Sequence, residues 1–207
     1  MSARTVHPIE AESYRILRAH VDTGALPPYT RAVTERVIHA SADFDYATDL
    51  VTDESALAQA AAALAAGAPI VADVEMVAAG ITRRDPLCAI KDPAAPHLAA
   101  DLGITRSAAA LRIAAERAGP GAVYVIGCAP TALFELLAIA AEARPALVIG
   151  LPVGFVGAAE SKAALRGSGL PAVSNVSGKG GSAVAAAALN ALIYQDLIHP
   201  VKEGDPR

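Results

Sequence analysis

From residue 68 onward the chain alternates short apolar runs with alanine-rich stretches at helical spacing, and that alternation limits the folds open to it. The runs "APIVAD" (68–73), "PLCAI" (86–90), "AVYVIG" (122–127), "ALVIGLP" (146–152) and "PAVSNV" (171–176) each have the length of a strand. Most lead through a turn into a helical segment, as "AVYVIG" leads into "CAPTALFELLAIAAEA" and "PAVSNV" into "SGKGGSAVAAAALNALIYQDL". "TRSAAALRIAAERAG" (105–119) is a further helix, with Thr105 placed to cap it. Upstream, residues 9–22, 27–41 and 54–66 carry helical periodicity, the last stopped by Gly67. Strands alternating with helices imply a mainly parallel sheet with right-handed crossovers. The expectation is one α/β domain over residues 1–207, a mainly parallel sheet flanked by helices, with a frayed tail from about 199 to 207.

Composition agrees with close-packed helices on a sheet. The hydrophobic share is 54%, much of it alanine, while aromatics make up 4% and tryptophan is absent, which suits a compact α/β domain better than an aromatic-filled sandwich. A net charge of −4 without a basic run excludes a nucleic-acid surface. The uncharged run at residues 180–195 is too short to span a membrane, and the N-terminus has no apolar leader core. Cys88 and Cys128 are far apart and form no metal-spaced motif, so two buried thiols in a cytoplasmic, soluble protein are expected.

Ligands of such sheets sit beyond the carboxyl ends of the strands. "SGKGGS" (177–182) there suits an anion at a helix N-terminus, or simply a tight turn. It lacks Walker A spacing, and "GLPVGFVGAAES" lacks G-x-G-x-x-G, so a nucleotide is disfavoured. In "GCAPTAL", Thr131 could donate to a ligand or belong to a plain capped turn, and Cys128 has no histidine nearby in sequence to activate it. Arg83, Arg84 and Arg106 are either exposed charges or forks for a carboxylate.

The remaining candidate is His39 in "ERVIHASADFDY". His7, His20, His97 and His199 are scattered, so no metal-ligand spacing includes it. It is either a solvated residue at a helix end or a general acid or base, with Asp43 or Asp45 available to orient it.

Taken in order, "IEAESYRILR", "ERVIHASADFDY", "GAPIVADVEMVAAGITR", "TRSAAALR", "GCAPTAL", "PVGFVGAAESKAAL" and "GGSAVAAAALNAL" resemble the precorrin-8X methylmutase family over nearly the whole chain. The resemblance implies an isomerase of corrin (vitamin B12) biosynthesis that moves a methyl group from ring carbon 11 to ring carbon 12. The step is a [1,5]-sigmatropic shift that converts precorrin-8X to hydrogenobyrinate without cofactor, metal, redox partner or methyl donor. It implies His39 as catalytic general acid, on helices preceding the sheet, substrate contacts at Ser13, Thr82 and Arg106, and a homodimer. The chain departs from the family pattern at Cys128, where asparagine is usual. It also has Val176 and Gly178 in place of arginines before the paired glycines, and a short segment between Gly80 and Ile90. Three alternatives stay open: a cobalt-precorrin-8 methylmutase, a non-catalytic tetrapyrrole carrier, and a nucleotide-dependent α/β enzyme using the glycine-rich loops.

Overall fold

A computed structural model describes residues 7–194. Two helices come first, α1 (Pro8–His20) and α2 (Pro28–Ser41), followed by the short α3 (Tyr46–Asp49), β1 (Leu50–Val51) and α4 (Glu54–Ala65). Then come β2 (Ile70–Ala72), α5 (Glu75–Gly80), α6 (Ala94–Leu102), α7 (Arg106–Ala118), β3 (Val123–Ile126), α8 (Pro130–Ala138) and α9 (Ala140–Ala143). The chain continues through β4 (Leu147–Gly150), α10 (Ala158–Gly167), β5 (Ala172–Asn175) and α11 (Ser182–Ile193). The tail expected to fray, 199–207, lies outside the described residues.

Among the described residues the strands form one sheet in the order β1-β5-β4-β3-β2. The four strands β2 to β5 are parallel, with Val123 opposite both Ile70 and Leu147, and Ile149 opposite Val173. The α/β expectation is met, with two differences. The edge strand β1 runs antiparallel to β5, pairing Leu50 with Asn175 and Val51 with Ser174. The run at 86–90 is not a strand of the sheet: only Leu87 bridges to Val71, and the chain then turns, with the Asp92 amide donating to Ala89. Pro86 and Pro93 bracket this segment, and proline cannot supply a ladder donor.

Alternate strand residues face two cores. Val123, Val125, Leu147, Ile149 and Val173 pack against α2, α4 and α11. Val71, Tyr124, Ile126 and Val148 face the other side, against Leu111 of α7, Leu133 and Leu136 of α8, and Leu165 of α10. A sheet covered on both faces explains why β2, β3 and β4 are continuous apolar runs. Alanine lets the helices close in. A methyl group on Gly127 would lie 2.9 Å from the Ala185 methyl, and one on Gly80 2.8 Å from that of Ala186, so α11 is pressed against both the sheet and α5.

Helix ends follow local chemistry. The Thr105 hydroxyl accepts the Ala108 amide at the start of α7, as expected. The Glu54 carboxylate, in the first turn of α4, reaches across to accept the Tyr29 and Thr30 amides of α2 (3.0 and 2.8 Å). This fastens the helix that carries His39 to the body of the fold.

Candidate active site

His39 lies in the last turn of α2, half-buried, where the helix dipole favours a positive charge. Ser13 of α1 brings its Oγ within 2.8 Å of His39 Nδ1. The next residue, Tyr14, lies flat on the imidazole, with ring centroids 5.1 Å apart and planes 5° from parallel. Helix α1 is pinned to α2 by two ion pairs. Arg18 donates through Nε and Nη2 to the buried Glu35 (3.1 and 2.7 Å), which also accepts from Thr23, and Arg36 donates to Glu10. Beside the imidazole an apolar cleft of about 360 Å³ is lined by Ile9, Ser13, Ile16, Ile38 and Phe44.

Asp43 and Asp45 do not orient His39, contrary to one sequence reading. Beyond α2 the chain turns through Ala42 in the left-handed conformation (φ 53°), and both carboxylates grip Lys179 Nζ (2.7 and 2.6 Å). The Lys179 ammonium holds the Asp43 carboxyl below its ordinary value. Lys179 belongs to the loop after β5, so this clasp ties the end of the histidine helix to the carboxyl rim of the sheet. Asp49 adds a second tie, accepting from Asn175 Nδ2, the Val176 and Ser177 amides and Ser177 Oγ. Burial alone would raise the Asp49 carboxyl, but the hydrogen bonds from Asn175 and Ser177 outweigh it and lower the value.

The glycine-rich rim is packed as tight turns. A methyl group on Gly180 (φ 150°) would lie 2.2 Å from the Leu151 carbonyl oxygen, so the loops after β4 and β5 meet backbone to backbone there. The carbonyls of Ser177 and Lys179 accept from the buried Lys162 ammonium (2.6 Å each), which also donates to Asn175 Oδ1 (2.8 Å). In "GCAPTAL" the amides of Gly127, Cys128 and Ala129 are all taken by the Asp73 carboxylate. Burial raises the Asp73 carboxyl, and those amides oppose the rise. This turn therefore carries its anion internally, and Thr131 hydrogen-bonds Thr105.

The structure thus joins Ser13 to His39 directly, while the other two expected contacts lie apart. Thr82 bonds Asn190 Oδ1 through its amide and hydroxyl, and the Tyr194 hydroxyl at 2.7 Å. The Tyr194 ring receives the guanidinium groups of Arg83 (4.3 Å) and Arg36 (5.9 Å), so Thr82 connects to α2 one turn before His39. Arg106 is exposed at the start of α7, on the carboxyl rim but on the opposite sheet face from α2. Arg84 is occupied by the Leu64 and Ala68 carbonyls at the end of α4. Sequence reasoning passed over Lys162 and Asp49. Lys162 had a signal: with Ala158 and Leu165 it falls on one helical face, a lysine in an apolar stripe. Asp49 had none.

A family model described as precorrin-8X methylmutase matches residues 8–195. A precorrin-8X methylmutase of Pseudomonas aeruginosa is 46% identical over 194 residues, covering 89% of this chain and 93% of that protein. A cobalt-precorrin-8 methylmutase of Salmonella typhimurium is 42% identical over 198 residues, covering 90% and 93%. A solved structure of precorrin-8X methylmutase from Thermus thermophilus shares 35% identity at a TM-score of 0.80, covering 92% of this chain and 98% of that one. The extent of the family match, together with that level of identity, makes this chain a member of the precorrin-8X methylmutase family of isomerases.

Proposed function

We propose that the enzyme moves a methyl group from ring carbon 11 to ring carbon 12 of precorrin-8X, giving hydrogenobyrinate, with His39 as general acid. The observation that carries this reading is the seating of His39: the end of a helix dipole, an apolar cleft beside it, and a hydroxyl on Nδ1. With Nδ1–H donating to Ser13, proton delivery falls to Nε2, and the imidazole left afterwards is the tautomer that Ser13 already holds. Protonating a nitrogen of the macrocycle draws electrons from the neighbouring carbons, so the methyl group migrates with its bonding pair inside the same molecule. Tautomerisation of the product returns a proton, and nothing is consumed. A general acid supplies about 10²–10⁴ in rate.

The substrate carries many carboxylates and the chain is itself negative (net −4), so local groups rather than the overall field must hold it. Arg106 suits a carboxylate because it makes no hydrogen bond or ion pair among the described residues. We place Ser13 and Thr82 on the substrate as well, the latter beside the Arg36–Tyr194–Arg83 cluster. Neither thiol is buried as the sequence led one to expect, Cys88 being half-buried and Cys128 exposed, but both are free of a disulfide, which fits a reducing, cytoplasmic setting. Among the described residues no helix is long and apolar enough to cross a membrane.

The test is turnover of precorrin-8X in excess over protein. His39→Asn should keep its fold and bind the macrocycle while slowing turnover at least about a hundredfold, near 3 kcal/mol. A rate within threefold of the unaltered enzyme rules His39 out as the acid. Similarity to both precorrin-8X and cobalt-precorrin-8 methylmutases favours running metal-free and cobalt-loaded substrates side by side. A single stoichiometric spectral change with either would point to a carrier.

A further inference from the structure

The imidazole of His39 is held from two directions by adjacent residues of one helix. Ser13 meets its edge at Nδ1, and Tyr14 covers its face at 5.1 Å with nearly coincident planes. The bond at Nδ1 lies in the ring plane and bears on the tautomer, whereas a flat partner on the face bears on the plane of the ring.

Tyr14 is itself well fixed. It is half-buried and packs against the core formed by α2, α4 and α11. The Arg18 guanidinium sits 5.5 Å from its ring centroid and is anchored on the buried Glu35. Burial raises the Tyr14 phenol above its ordinary value, and the Arg36 guanidinium, paired with Glu10, opposes that rise. The phenol therefore stays neutral and offers His39 an aromatic face with negative quadrupole, which attracts a positively charged imidazolium. The neighbouring cations are compensated, Arg18 by Glu35 and Arg36 by Glu10, so they do not reverse that preference.

We propose that Tyr14 is a positioning residue for the methyl shift: its ring, lying flat on His39, holds the imidazole in the plane from which the proton is delivered. The proposal rests on His39 being the acid. The ring does the work and the hydroxyl does not, so Tyr14→Phe should be tolerated and Tyr14→Met, similar in bulk but without a π face, should not.

The experiment measures kcat and KM for full-length Tyr14→Phe, Tyr14→Met and His39→Asn, together with NMR signals of the His39 ring, assigned by their loss in His39→Asn. Tyr14→Met should lower kcat about tenfold with KM within about twofold, since misplacement of a catalytic group acts on the chemical step. Its His39 ring protons should also lose the upfield displacement that a stacked aromatic ring imposes. Tyr14→Phe should keep that displacement and a kcat within about threefold, as expected when the face supplies the effect. The role of Tyr14 is overturned if Tyr14→Met keeps full kcat. It is overturned equally if Tyr14→Phe, which preserves the packing, loses as much as the His39→Asn variant does. Full turnover in His39→Asn overturns the acid reading instead, and the NMR displacement would still report whether the stack exists.

Discussion

Three arginines near the carboxyl rim show how one residue type divides by its partners. Arg84 donates two 2.7 Å bonds to the Leu64 and Ala68 carbonyls, closing the end of α4 where intrahelical donors have run out. Arg83 spends its charge on the Tyr194 ring, from a left-handed backbone position (φ 63°). Arg106 alone of the three faces solvent with no hydrogen bond, ion pair or ring contact among the described residues. The sequence contexts "GITRRDP" and "ITRSAAALR" do not separate these roles, because the acceptors for Arg84 come from a helix about twenty residues upstream. Substitution should separate them. Arg106→Ala is expected to raise KM about tenfold, the order for one charge-assisted contact, and to leave thermal unfolding unchanged. Arg84→Ala should do the reverse, costing about 2 kcal/mol of stability, read by urea unfolding, with KM unaltered. An unchanged KM in the first variant would take Arg106 out of the site.

At the scale of elements, the loop between β5 and α11 is fastened from below by α10. Lys162 is fully buried and uses all three of its donors, on Asn175 Oδ1 and on the Ser177 and Lys179 carbonyls. Burial pushes its pKa down to about 8; the nearby Asp49 opposes that shift and Arg166 adds to it. Lysine in the unfolded chain titrates near 10.4, so between about pH 8 and pH 10 the unfolded state holds the proton more tightly, and stability owed to this group rises with pH. Lys162→Met should lose about 2 kcal/mol at pH 7, because three buried acceptors lose their donor. The advantage of the unaltered protein should then widen by about 1 kcal/mol between pH 7 and pH 9. A margin that narrows over that interval would mean the ammonium is not destabilised by its burial. Strands β2, β3 and β4 were legible because each is buried on both faces and so reads as a continuous apolar run, and β5 was legible from Ala172 and Val173 between Pro171 and the glycine-rich loop. Strand β1 was not, since two residues carry no periodicity. Helix α6 was hidden by Pro93 and Pro96, yet Pro96 sits in the first turn, where a missing amide costs nothing, and Gly103 (φ 65°) closes the helix. Of the candidate site, His39 and Ser13 were singled out through family resemblance, whereas the Lys179 clasp on Asp43 and Asp45 spans more than 130 residues and leaves no local pattern.

On the proposed function the molecule has to accommodate a flat, polyanionic macrocycle larger than a drug-sized ligand, and one chain offers about 360 Å³ beside His39. That is the low end of the range for ordinary small-molecule sites. The chain also leaves large apolar side chains in solvent: Ile9 at the cleft, and Phe155 and Val156 in the loop after β4, the last two at 108% and 89% exposure. Exposed apolar surface of this kind belongs to a partner or a ligand, and a homodimer would use it while enclosing more of the substrate. Sedimentation at micromolar concentration should therefore give twice the 20.9 kDa of one chain. Because a dimer dissociates by mass action, turnover per chain should fall on dilution through the dissociation range and recover when excess inactive His39→Asn chains are added, which re-form dimers around each active one. A 20.9 kDa species that turns over at full rate, indifferent to the added chains, would show that a single subunit suffices and that the exposed loop after β4 serves the substrate alone.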